Sequence, residues 1–299
     1  MKKKHKNILK LSLLILWPIC LLVIGFNICS RPVGFDIAAI RSNFQFKEGS
    51  SHKAPSAQEF EKLQNAFSQK FYYLGNGAQC YAFVSEDQNY VIKFFKMSHL
   101  TPKYWLNYIP LPWLEKYRFQ KIQMRERRRK EVFDGFEAIY HTFKEETGLL
   151  FIHFSKTSYL HDTTDFIDKM GKMHHIALNG VPFILQKRAR MIYDYVGDLI
   201  EQGQSERALD SLISVLELIK ARCKKGYFDS DTGVRGNYGF VDGRPIEIDL
   251  GRVYKDETIV DPVQYIREVM HVSKKIEVWL ETNHPELLSD YLEKTQQML

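Results

Sequence analysis

The stretch GYFDSDTGVRGNYGFVDGRPIEIDLGRV, Gly226 to Val253, sets Asp229, Asp231, Asn237 and Asp249 among glycines and short apolar runs. It follows a helical pattern and ends in a strand pattern. Three carboxylates and a carboxamide at such spacing form an oxygen-rich set. Mg²⁺ favours donors of this kind, together with water and phosphate. A spare carboxylate can also take a proton from a hydroxyl. An ordinary polar loop is the competing reading, so the rest of the chain decides what the acids are for.

Upstream, Glu206 to Lys224 reads as a helix with Leu209, Leu212, Ile213, Leu216, Ile219 and Lys220 on one face, stopped by Gly226. Ile192 to Ile200 is another helix. Within the quoted stretch, Tyr238 to Val241 and Pro245 to Asp249 form a hairpin turned at Asp242-Gly243. Pro262 to Leu299 is helical. Further upstream the period shortens. Phe71 to Leu74, Cys80 to Ser85 and Tyr90 to Phe95 read as strands, with Leu149 to Phe154 and Val181 to Gln186 beside them; Asp165 to Leu178 is a strand pair around Gly171. Gln58 to Ser68 and Glu115 to Lys144 are helices, the second with Phe133, Phe136, Ile139, Tyr140 and Phe143 as its apolar stripe. Thr101 to Pro112 is an aromatic, proline-punctuated insert. A β-rich half thus precedes a helix-rich half, an α+β arrangement in two lobes.

Two features of the β-rich half carry chemistry. Gly75 and Gly77 in LGNGAQCYAF (Leu74 to Phe83) let a turn between strands approach a ligand closely, although most such turns are only turns. Lys93 in VIKFFK lies on the next strand, either as an edge charge or as a phosphate partner.

Of 299 residues, 44% are hydrophobic and 26% charged, so the body can bury a core; the net charge is +6. Much of that charge sits in the N-terminal lysines and in RERRRK, Arg125 to Lys130, so the balance does not argue for nucleic acid. Only Cys80 and Cys223 belong to the body, which excludes a disulfide scaffold and leaves room for one bridge. No cysteine or histidine pair has zinc spacing; His174 and His175 are adjacent and point to opposite faces of a strand. No N-glycosylation sequon occurs.

MKKKHK precedes an apolar run, Leu11 to Ile28, broken only by Ser12, Pro18 and Asn27. As a helix it is roughly 27 Å long, enough for a single membrane span. A cleaved signal peptide is the rival reading. The lysines before the run place residues 1–10 in the cytoplasm and the body across the bilayer. The expected organisation is a basic tail (1–10), a transmembrane helix (11–28), a linker (29–56), a β-rich lobe (57–188) and a reduced helical lobe (189–299).

The ordered set Gly75-Asn76-Gly77, Val91-Ile92-Lys93, a glutamate-bearing helix, then Asp231, Asn237 and Asp249-Leu250-Gly251 resembles the protein-kinase-like superfamily over about Leu74 to Val253. The resemblance implies a bilobal protein-kinase-like fold, with a small antiparallel sheet lobe and a reduced helical lobe. It implies ATP and Mg²⁺ as cofactors. Gly75 and Gly77 would cover the nucleotide, and Lys93 would hold the phosphates with Glu131 as ion-pair partner. Gln186, Lys187 and Arg188 would meet adenine through their backbone. Asp231 would be the general base with Asp229 as rival, and Asn237 and Asp249 the metal ligands. The departures are Cys80 at the third glycine, Asp229-Ser230 where His-Arg precedes the base, Leu250 for phenylalanine, and only 48 residues after Gly251. These favour a small, atypical member acting on a small-molecule, glycan or lipid-linked hydroxyl. A pseudokinase tethered to the bilayer as a binding module is the alternative. A basic surface binder for anionic lipid or nucleic acid, using Arg125 to Lys130, is a third.

Overall fold

The computed structural model describes residues 17–18, 35–41, 55–108, 112–157, 159–160, 163–231 and 233–299. The basic tail and all of the Leu11–Ile28 run except Trp17 and Pro18 lie outside the described residues. Among the described residues no helix is long and apolar enough to cross a membrane.

The β-rich half builds a meander of β1 (Phe71–Asn76), β2 (Cys80–Ser85) and β3 (Tyr90–Phe95). Phe71, Phe83, Ile92 and Phe94 turn to one face and are fully buried. β4 (Leu149–His153), β5 (Thr163–Ile167), β6 (Met173–Ala177) and β7 (Phe183–Lys187) complete a seven-stranded sheet of order β4-β7-β3-β2-β1-β5-β6. Only β1 and β5 pair in parallel; the other neighbours are antiparallel. His174 and His175 take opposite faces of β6: His174 is buried against Asp168 at 2.7 Å, and His175 meets Asp165 at 2.6 Å.

The expected linker contains a docked segment. Asp36 caps a short helix, α1 (Ile37–Ile40), through the Ala38 N–H. Phe35 inserts edge-on against Phe83 at 4.9 Å and Tyr81 at 5.2 Å, and Ile40 is fully buried. A four-residue helix is too short to show a period, so composition alone gave no sign of it. α2 (Ala57–Phe67), closed by a Ser56–Glu59 capping box, covers the same sheet face with Leu63, Ala66 and Phe67.

The opposite face of the sheet receives α4 (Glu115–Thr142), preceded by the short α3 (Met97–Leu100) and the aromatic insert. Val132, Phe136 and Ile139 are the inward positions of its second half. After α5 (Lys144–Thr147), Gly148 stops the helix with a left-handed φ of 62°.

In the second half, α6 (Ile192–Glu201), α7 (Ser205–Lys224), α8 (Pro262–Asn283) and α9 (Leu288–Met298) enclose their own core around Leu212, Val215, Ile219, Val272 and Ile276. The expected continuous C-terminal helix breaks at His284-Pro285, where proline lacks the N–H and crowds the preceding turn. A third core joins the halves: Tyr227, Leu250 and Val253 pack with Phe95, Val132 and Phe136.

Candidate functional site

The junction of the halves is shaped by short strands, some of them too short to show a period in sequence. β8 (Arg190–Met191) pairs with β10 (Tyr238–Val241), which pairs with β11 (Arg244–Glu247). β9 (Tyr227–Asp229) pairs with β12 (Val253–Lys255). Asp242 and Gly243, both at positive φ (51° and 77°), make the expected hairpin turn. Gly239 is required by close approach, since a Cβ there would stand 2.5 Å from the Arg190 carbonyl oxygen.

Between this hairpin and the sheet lies a cavity of about 410 Å³, lined among others by Gly77, Cys80, Lys93, Gln186, Asp231 and Asp249. Lys93 reaches across the junction and donates to the Ile248 carbonyl at 2.6 Å. Burial pulls its pKa down, and the negative charge of Asp249 opposes that shift. Asp249 is exposed to the cavity and accepts from the Gly251 N–H at 3.1 Å through one oxygen. Gln79 crosses from the glycine turn to donate to the Gly251 carbonyl at 3.1 Å. Neither Gly75 nor Gly77 would bring a Cβ within 4 Å of another part of the chain, so internal packing gives no reason for glycine at either position.

Asp231 accepts from the Gly233 N–H at 3.1 Å, and Arg252 approaches its other oxygen at 3.4 Å. Asn237 is buried behind it and donates to the Asp231 carbonyl at 2.9 Å. Asp231 and Asp249 therefore line one cavity with Lys93, while Asn237 supports Asp231 from beneath. Two oxygen donors with phosphate and water completing the shell suit Mg²⁺, and Asp249 and Asn237 have that chemistry. Among the described residues no three His, Cys, Asp or Glu side chains converge on one metal position.

Two expectations need correction. Glu131 does not pair with Lys93: it is two-thirds exposed and pairs with Arg127 at 3.5 Å on the outer face of α4. Phe136, not a glutamate, is the α4 residue that lines the cavity. Asp229 does not face the cavity. It is buried in the helical half, with Arg222 at 3.8 Å. Gln186, Lys187 and Arg188 all line the cavity, with the N–H groups of Lys187 and Arg188 donating to the Gly148 and Asn89 carbonyls at 2.8 Å each. Gln186 is buried and its amide donates to the Thr147 carbonyl at 2.6 Å. The Lys187 and Arg188 side chains are exposed, and the lining continues to Ala189 and Met191.

Beneath the site sits a cluster that the sequence reading missed. Arg222 is buried among three carboxylates: it bonds Glu247, lies 3.4 Å from Glu268 and 3.8 Å from Asp229. One cation cannot neutralise three buried anions. Burial first, then repulsion from Glu247, pushes Asp229 up to about 7; burial likewise raises Glu247 and Glu268. Glu247 holds the Arg222 guanidinium charged against the cost of burial. The signal was present, since Arg222 falls three and four residues after Ile219 and Leu218 on the apolar face of α7. Burial also pushes the Cys80 thiol up to about 12, and Cys80 and Cys223 are both free.

Comparison by sequence finds no matching family model and no matching curated protein. Two solved structures are similar in backbone. One is the bifunctional kinase-methyltransferase WbdD, with 15% identity, a TM-score of 0.34, and coverage of 73% of this chain and 43% of that one. The other is the Rv3197–erythromycin complex from Mycobacterium tuberculosis, with 14% identity, a TM-score of 0.33, and coverage of 78% and 56%. The chain spans about half the length of these two proteins.

Proposed function

We propose that the chain is a kinase-like phosphotransferase that takes a nucleoside triphosphate with Mg²⁺ into the cavity between its halves and passes the terminal phosphoryl group to a hydroxyl. The observation that carries this reading is the meeting of Lys93, from β3, with Asp231 and Asp249, from the hairpin region, around one 410 Å³ cavity roofed by a glycine turn. Lys93 offers an ammonium to phosphate oxygens. Asp249, which faces the cavity, would hold Mg²⁺, with Asn237, buried beneath Asp231, as the second ligand the resemblance implies; the ion when bound neutralises phosphate charge. Asp231 reaches the cavity and accepts the proton of the attacking hydroxyl. The glycines leave open space above the lysine, where a backbone cradle for phosphate is wanted. The acceptor belongs to the class of small-molecule, glycan or lipid-linked alcohols. A bilayer anchor through Leu11–Ile28 is part of the same proposal and rests on the sequence alone.

Titration calorimetry of the full chain with a non-hydrolysable ATP analogue tests it. Binding is expected to require Mg²⁺ and to weaken about 100-fold or more in Lys93→Ala and in Asp249→Ala, as loss of a charge-assisted phosphate contact or a metal ligand implies. Unchanged affinity in both variants removes the site.

A second reading, a nucleotide-binding module without turnover, is favoured by one specific arrangement. Lys93 has a carbonyl partner rather than a helix glutamate, and Arg252 occupies one face of Asp231. Mg²⁺-dependent binding with no phosphate transfer or nucleotide hydrolysis would select this reading.

A further inference from the structure

The first half of α4 leaves most of its surface uncovered by the described residues. Over residues 115–130 Ile122 is its one buried apolar position, while Tyr117, Phe119 and Met124 are exposed. In the insert before it, Tyr108 is 87% and Trp113 75% exposed. A helix this polar around its circumference, with aromatic side chains left in water, has no covering element for that surface among the described residues. Charge is concentrated on the same segment. Residues 103–130 carry nine lysines and arginines against two glutamates, more net positive charge than the +6 of the whole chain. Arg125 fastens the segment to the body by donating to the Ser98 and Thr101 carbonyls at 3.1 and 3.0 Å, and Tyr104 bonds Glu126 at 2.5 Å. The aromatic and basic groups are thus presented on a fixed support.

We propose that this surface, from Tyr104 to Lys130, rests on the anionic headgroups of a bilayer. Exposed tryptophan and tyrosine interleaved with lysine and arginine match the boundary between acyl chains and headgroups, where aromatic rings and cations are both favoured. Placement along the chain names the same occupant. Phe35 and α1 dock beside α3, the short helix that leads directly into the insert. The apolar run ends at Ile28, seven residues before Phe35, so a bilayer holding that run lies within about 25 Å of this edge of the molecule. The surface is separate from the nucleotide cavity, and the inference does not depend on the proposed reaction.

Hydrogen–deuterium exchange on the full chain reconstituted in vesicles tests it. Peptides covering residues 112–130 should exchange more slowly on vesicles containing phosphatidylglycerol than on phosphatidylcholine alone. The protection should disappear in high salt and in Trp113→Ala/Phe119→Ala. It should weaken about thirtyfold or more in Arg128→Glu/Lys130→Glu, since each cation near an anionic surface contributes about a fivefold preference. Nucleotide binding is unchanged in both variants if they fold as the parent does. Equal exchange on both vesicle types, or protection that survives both double substitutions, overturns the proposal. Protection by duplex RNA or DNA in neutral vesicles, with none from phosphatidylglycerol, overturns it in favour of a nucleic-acid surface.

Discussion

Two positions separate Asp229 from Asp231, and the Asp231 N–H donates to the Asp229 carboxylate at 2.8 Å. Burial decides the difference between them. Asp231 opens to the cavity, whereas Asp229 shares Arg222 with two glutamates. Asp231→Asn preserves an oxygen for the Gly233 N–H. It should leave Mg²⁺-nucleotide binding intact while lowering phosphate transfer by about 100-fold or more, the usual contribution of a general base. A rate equal to the parent's would strip Asp231 of that role. Asp229 gives a different readout. Its carboxyl titrates near 3.8 when unfolded and at about 7 in the folded chain. Between those values the folded chain holds a proton that the unfolded chain has released, so stability falls as pH rises through that window. Asp229→Asn should flatten the thermal-stability profile between pH 4 and 7. An unaltered slope would assign the pH dependence to Glu247 or Glu268 instead.

At the level of the element, two glycines, one inside β10 and one in the turn after β1, separate packing from ligand access. Gly239→Ala drives a Cβ into the Arg190 carbonyl and against the Ala189 side chain at 2.9 Å, prying β8 from β10. A denaturation midpoint shift corresponding to about 1–3 kcal/mol is expected, the range for overpacking a tight contact. Gly77→Ala meets open space, so stability should stay within about 0.5 kcal/mol of the parent while nucleotide affinity drops. Equal stability losses in the two variants would contradict this division. The strands and helices that position these turns were legible because their buried faces repeat every second or every third to fourth residue. The pairs β8–β10 and β9–β12 were not, because two or three residues display no period. Glu131 was misassigned for a related reason. The whole of α4 is rich in charge, so residue type cannot choose its inward face. Phase can: Glu131 lies about 140° around the helix from Phe136, which belongs to the apolar stripe. Lys93, Asp231 and Asp249 were found because their order along the chain is specific; Arg252 and Gln79 depend on contacts between distant segments and left no local mark.

Across the whole molecule, two cores would make two independently melting halves were it not for the third, where Leu250 and Val253 sit against Phe95, Val132 and Phe136. Calorimetry of the parent should therefore show one cooperative transition. Val253→Asp, which places an unpaired charge in that shared core, should split it in two; two transitions in the parent would mean that the third core does not couple the halves. The added β5–β6 hairpin bears on motion instead. It clasps Phe71 and Tyr72 on the outer side of β1 while β2 holds the inner side, and the ladder slips between Tyr73 and Gly75. Root and tip of the glycine flap thus become mechanically distinct. The root is gripped from both flanks, and any lifting that admits or releases a guest is left to the few residues beyond the slip, a short gate on a stiff post.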